Sequence, residues 1–262
     1  MHMHQKSFLL AFSLLLGAAG SSFGQDKGLD IAKAADKRDE GFVNTQVNLK
    51  MVLKNKYGQE STRTMTNKTL EVTGDGDKSV ISFNSPKDVK GTSSMTYTHK
   101  VGPDDQWLYL PAVKRVKRIS SNNKSGPFMG SEFAFEDLSS QEVEKYTYKY
   151  LADETYEGQA CFKVERDPVD PKSGYTRQVV WYNKDNYRLE KIEFYDRKNA
   201  HLKTLTYHNY KLYLGKFWRA QEMQMVNHQS GKETKLIFEN YTFKSDAISE
   251  DDFTQNSLRR AG

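Results

Sequence analysis

The sequence predicts a mainly β protein, a single large, curved antiparallel sheet with flanking helices. Apolar side chains recur with a period of two along most of the chain, and clusters of turn-forming residues separate these runs. Helix-period patterns occur only beside the strand runs rather than alternating with them, which disfavours a parallel βαβ arrangement. Aromatic residues make up 12% of the 262 residues and only six are proline, a composition that favours long strands over disorder.

The N-terminus reads as a segment to be removed. Lys6 supplies a positive charge, residues 8–19 are almost wholly apolar, and Ser22 and Gly24 place small side chains before Gln25. This is the pattern of a secretory signal peptide over residues 1–24. Its apolar run of about a dozen residues is short of the roughly 20 that a membrane-crossing helix needs. The expected product, residues 25–262, is an exported, soluble, single-domain protein. The only cysteine, Cys161, allows no intramolecular disulfide, so stability rests on packing. The 39 Lys and Arg against 34 Asp and Glu give a formal net charge of +5, a bias toward anionic surfaces too small to indicate nucleic acid.

Residues 29–40 predict a helix, with Ile31, Ala34, Ala35 and Arg38 on one face and Gly41 as its stop. The period then changes to two. Val47, Leu49, Met51 and Leu53 alternate with Asn48, Lys50, Val52 and Lys54 in a first strand, and Lys56, Tyr57 and Gly58 turn it back. Segments 59–72, 78–83 and 91–99 continue as a meander, with a turn at Gly74, Asp75, Gly76 and Asp77. The second half predicts strands over 142–152, 159–166, 176–183, 187–195, 202–213, 217–227 and 233–243. Ser249 with Glu250, Asp251 and Asp252 predicts a capped final helix docked by Phe253.

The middle of the chain is the most informative. Trp107 and Tyr109 point to one side of a strand and Leu108 and Leu110 to the other, so both of its faces need cover. Beyond Pro111, the cations Lys114, Arg115, Lys117 and Arg118 read either as a solvated edge or as a contact for anionic headgroups or an acidic partner. The segment 125–138 carries Phe128, Met129, Phe133, Phe135 and Leu138, an apolar set that either covers the open side of the sheet or meets a partner. Gly126 and Gly130 give that segment the hinges of a movable lid, and Ser131 can start a short helix within it.

A curled sheet leaves a void that apolar matter fills cheaply. A chain of about ten methylenes buried there is worth on the order of 8 kcal/mol before binding costs. The expected lining is Leu49, Met51, Leu53, Trp107, Tyr109, Phe128, Met129, Phe133 and Phe135, although alternation alone does not say which face of each strand is concave. Chemistry is sparse. His99, His201, His208 and His228 lack metal-site spacing, Cys161 sits between Ala160 and Phe162 as a core residue, and no nucleophile elbow or phosphate loop occurs. The acid pairs Asp104 and Asp105, Asp167 and Asp170, and Asp251 and Asp252 read as turns or caps. No cofactor, metal or enzymatic reaction is expected. A hydrolase would instead need ionisable groups clustered inside the cavity.

The residues from Trp107 to Pro111, the basic run from Lys114 to Arg118, and Gly126, Pro127, Phe128, Met129, Gly130, Ser131, Glu132 and Phe133, followed by Glu136, Asp137 and Leu138, resemble the outer-membrane lipoprotein-sorting protein family of Gram-negative bacteria. The resemblance covers essentially residues 25–262. It implies a periplasmic carrier, its strongly curved sheet an unclosed β-barrel with an apolar concave face and a helical lid. It also implies that a lipid, or the acyl chains of a lipoprotein, travels in the cavity toward the outer membrane. An inner-membrane transporter, an outer-membrane acceptor and transient membrane contact are the implied partners. An alternative is a non-enzymatic periplasmic partner of an inner-membrane lipid exporter, docking through the basic strand. The family's carrier gates release with an arginine beneath its lid, for which Arg63 and Arg38 are candidates that no motif matches.

Overall fold

A computed structural model describes residues 19–260. The apolar run of the expected signal segment therefore lies largely outside the described residues. Helix α1 (Ala19–Asp39) covers the predicted helix except its last residue, Glu40, and ends before Gly41, whose φ of +91° breaks the helical path. A first meander follows, with β1 (Asn44–Lys54), β2 (Glu60–Leu70), β3 (Lys78–Ser85), β4 (Ser93–Tyr97), β5 (Asp105–Leu110) and β6 (Arg115–Ile119). After an irregular stretch come β7 (Tyr146–Tyr156), β8 (Gln159–Pro168), β9 (Tyr175–Asn183), β10 (Leu189–Asp196) and β11 (His201–His208). The chain continues with β12 (Lys211–Tyr213), β13 (Phe217–Arg219), β14 (Glu222–Asn227) and β15 (Glu233–Phe243), and ends in α2 (Gln255–Arg260).

Thirteen strands form one antiparallel sheet in the order β6-β5-β4-β3-β2-β1-β15-β14-β11-β10-β9-β8-β7. The last strand closes the gap between two meanders by pairing with the first, with Leu49 opposite Phe238 and Met51 opposite Leu236. β12 and β13 stand apart as a hairpin, because Asn209 takes a φ of +57° and interrupts the single strand expected over 202–213. Positive φ at Leu214 and Gly215 then turns the hairpin.

The expectation of a strongly curved, barrel-like sheet is corrected by this topology: the sheet is an open array that is not strongly curled, and β6 and β7 are unpaired edges at its opposite ends. The reason lies in how its face is covered. β6 and β7 are consecutive in sequence, so the connection over residues 120–145 crosses the sheet from edge to edge, and α1 packs beside it on β7. With that cover in place the sheet need not roll onto itself to bury its apolar side. The cover is also less helical than expected. It contains only short 3-10 turns, at Ser121–Asn123, Phe128–Gly130, Phe135–Leu138 and Val143–Lys145.

Register aligns the covered face. Arg63, Met51, Leu236, Met223 and Tyr207 lie in one row across β2, β1, β15, β14 and β11. The main core includes Leu49, Met51, Met65, Phe83, Phe128, Phe133, Val164, Val180, Ile192 and Met225. A second cluster on the other side of β3 to β6 joins Val80, Met95, Trp107 and Tyr109 to Phe253 and Leu258 at the C-terminus. Cys161 is buried in a third cluster with Val179 and Trp181. The expected capped helix at Ser249 is a 3-10 turn, Glu250–Phe253, in which the Ser249 N–H donates to Asp252 at 3.0 Å.

Helix α1 approaches β7 closely at Gly28. A Cβ there would stand 2.8 Å from Tyr150 N and 3.0 Å from Lys149 N. Gly28→Ala is therefore expected to lower stability by about 1–3 kcal/mol despite the better helix propensity of alanine. Urea denaturation measures this, and a stabilised variant would contradict the close packing.

Candidate functional site

A large cavity, about 1270 Å3, opens between α1, β1 and β2, the β7 to β11 half of the sheet, and the β12–β13 hairpin. It exceeds the roughly 300–1,000 Å3 of ordinary small-molecule pockets. Ala32, Ala35 and Asp36 line it from α1, and Val47 and Asn67 from β1 and β2. Tyr148, Arg166, Tyr182 and Tyr207 line it from the sheet, and Trp218 and Arg219 from the hairpin. Pairing explains the grouping. Tyr148 on β7 stands opposite Arg166 on β8, and Arg166 opposite Gln178 on β9. Side-chain alternation sends these inward together with Val164 and Val180. Arg38 anchors α1 over the opening by donating to the Asp185 carbonyl at 3.1 Å and lying 4.6 Å above the Tyr187 ring.

The lining is amphipathic rather than purely apolar. Burial raises the phenol pKa of Tyr148, Tyr182 and Tyr207 above the usual tyrosine range, which keeps them neutral hydroxyls. The buried Oδ1 of Asn67 has no hydrogen-bond partner among the described residues. Ionisable groups do cluster here, yet neither histidine nor cysteine lines the cavity among the described residues, and the Ser140 hydroxyl meets Asp77 at 3.5 Å.

Acids at one end of the cavity are held partly protonated. Burial first, and then the charges of Asp77 and Asp36, push Glu142 up to about 7, and burial pushes Asp77 up to about 6. A carboxyl whose folded pKa is raised contributes stability that is complete below its unfolded value and is lost as pH rises through the folded value. Stability should thus decline between about pH 4.5 and 7 through Glu142. Glu142→Gln is expected to flatten that decline and, at pH 8, to gain on the order of 2–3 kcal/mol. Thermal melts across pH would check this, and an unchanged slope would contradict it.

Of the nine expected lining residues, Leu49, Met51 and Leu53 lie in or against the main core together with Phe128, Met129, Phe133 and Phe135 of the crossing segment itself. Trp107 and Tyr109 lie on the opposite side of β5, against Phe253 and Leu258. None of the nine lines the 1270 Å3 cavity. Lys114, Arg115, Lys117 and Arg118 are exposed at the β6 edge, where Arg118 pairs with Asp105. Such cations discourage edge-to-edge strand pairing. Arg63 donates to the Met129 carbonyl of the crossing segment.

The crossing segment is pinned by charge. Lys203 of β11 meets Asp137 at 2.6 Å, each side chain 4% exposed. Asp137 also accepts from Tyr175 Oη at 2.8 Å and from Ala134 N–H at 2.7 Å. Glu136 accepts from Ser173 Oγ and Gly174 N–H, both at 2.8 Å. Sequence reasoning missed Arg166, for which a signal existed: it shares the parity of Phe162 and Val164, a cation on the apolar side of its strand.

Comparison with known proteins gives a family model described as "Uncharacterized protein", matching residues 75–260. No curated protein matches the chain. Among solved structures, the chain is similar to an outer membrane lipoprotein-sorting protein domain from Vibrio parahaemolyticus, with 55% identity over 90% of this chain and 100% of that one, and a TM-score of 0.88. It is similar to a DUF1329 family protein from Desulfovibrio piger, with 27% identity over 90% of this chain and 99% of that one, and a TM-score of 0.85. A LolA superfamily protein from Nitrosomonas europaea shares the fold, with 21% identity over 88% of this chain and 98% of that one, and a TM-score of 0.71.

Proposed function

We propose that this chain, which belongs to the outer membrane lipoprotein-sorting protein family and works in the periplasm, is a carrier that shelters the acyl part of a lipid or lipoprotein in its large cavity on the way to the outer membrane. Lipoprotein sorting is a non-catalytic task, and membership ties the chain to the machinery of lipoprotein trafficking. The single observation that supports carriage is the 1270 Å3 cavity between α1 and the sheet, lined by Ala32, Ala35, Val47 and the tyrosine rings. Apolar matter transferred there from water gains about 0.8 kcal/mol per buried methylene. Residues 1–24 serve in this reading as the export signal.

The test is mass spectrometry of solvent extracts from gently purified protein, together with uptake of a fluorescent fatty acid. A co-purified amphiphile and saturable uptake are expected. Repeated absence of both would remove the carrier reading. A second reading, docking on an inner-membrane lipid exporter, is favoured by the exposed β6 edge with Lys114, Arg115, Lys117 and Arg118. Neutralising these four should abolish co-purification with the exporter while lipid uptake persists, and unchanged co-purification would defeat it.

A further inference from the structure

We infer that the large cavity holds an oxyanion, the phosphate or carboxylate headgroup of an anionic amphiphile, against Arg166. The inference rests on the carrier reading for the acyl part of the ligand and on the following geometry for its headgroup. Two cationic side chains in the described chain are almost wholly buried, Lys203 and Arg166, each 3% exposed. Lys203 has its counter-ion, Asp137. Arg166 has none among the described residues. Its Nε donates to Gln178 Oε1 at 2.8 Å and its Nη2 to Gln141 Oε1 at 3.0 Å, both neutral amides. The guanidinium lies 4.4 Å from the centre of the Tyr146 ring.

A guanidinium stays charged in any protein setting. Removing such a charge from water costs several kcal/mol, and an anion with good geometry offsets that cost better than amides and a ring can. Arg166 lines the cavity together with Tyr148, Tyr182 and Tyr207, whose hydroxyls remain donors. None of the acids that line the same cavity makes an ion pair with Arg166 among the described residues, and burial holds three of them, Asp36, Asp77 and Glu142, back from ionising. A planar donor fork fixed by two amides, with phenol hydroxyls beside it, is suited to a phosphate or carboxylate. The remaining volume lies beside it for the apolar chain.

The test uses the purified protein and isothermal titration with three probes: monooleoyl phosphatidic acid, monooleoylglycerol and inorganic phosphate. The anionic amphiphile is expected to bind at least about tenfold more tightly than the uncharged one, as a charge-assisted bidentate contact implies. Arg166→Gln should reduce that preference to within about twofold. Equal binding of both amphiphiles by the unaltered protein would overturn the headgroup site and leave the carrier reading standing. Preference retained by a folded Arg166→Gln variant would overturn it too. Should that variant fail to fold, Arg166→Lys, which keeps the charge and loses the fork, decides by the same ratio. Phosphate binding that depends on Arg166, without binding of either amphiphile, would support the oxyanion site with a soluble anion and remove the carrier reading. Binding of none of the three would overturn both.

Discussion

Asp137→Ala is expected to destabilise the protein by about 3–5 kcal/mol, the range for breaking a buried ion pair from one side. The variant strands Lys203, 3% exposed, inside the fold with only the Glu132 carbonyl at 2.9 Å as an acceptor. It also removes the acceptor of Tyr175 Oη and of Ala134 N–H. These contacts hold the connection that spans the sheet, so the loss should appear as a lower denaturation midpoint. Replacing both partners by apolar residues, Asp137→Leu with Lys203→Met, should recover much of it, because the desolvation of two charges is then no longer required. A single-variant loss below about 1 kcal/mol would contradict the burial of the pair.

Phe128→Ala is the second large effect, expected at about 3–5 kcal/mol. The ring is fully buried, 5.8 Å from Phe83 of β3 and 5.4 Å from Phe135 at the ring centres. Met129, partly exposed beside it, should cost less when truncated. Measuring stability and fatty-acid retention on the same variants separates two roles. A ring that merely gates would weaken retention while leaving the denaturation midpoint in place. The packing predicts the reverse, with stability lost first.

Much of the sheet was legible because its signal is local. The alternation of Val47, Leu49, Met51 and Leu53 marks β1, and each of these side chains packs on one face. Glycine and asparagine turns delimited most other strands in the same way. The pairing of β1 with β15 was not legible, since it joins residues far apart in sequence and nothing near either strand specifies the partner. The Trp107 strand shows the same limit. Alternation put Trp107 and Tyr109 on one face, and only α2 on that side decides that the face packs away from the crossing segment. Asn209 reads as an ordinary strand residue until its positive φ splits the run.

The sequence by itself determined that the chain is a mainly antiparallel β protein with a helix at each end, that Cys161 is a core residue, and that the apolar segment from Phe128 to Leu138 covers something. Those properties follow from periodicity and from the free energy of burying apolar side chains, which act residue by residue. Tertiary structure alone decided that the cover crosses an open sheet that is not strongly curled, that Gly28 must be glycine for α1 to reach β7, and that Arg166 is buried without a carboxylate partner among the described residues while Lys203 has one. Close approach and charge pairing depend on which distant residues meet, and that is settled only when the two meanders join.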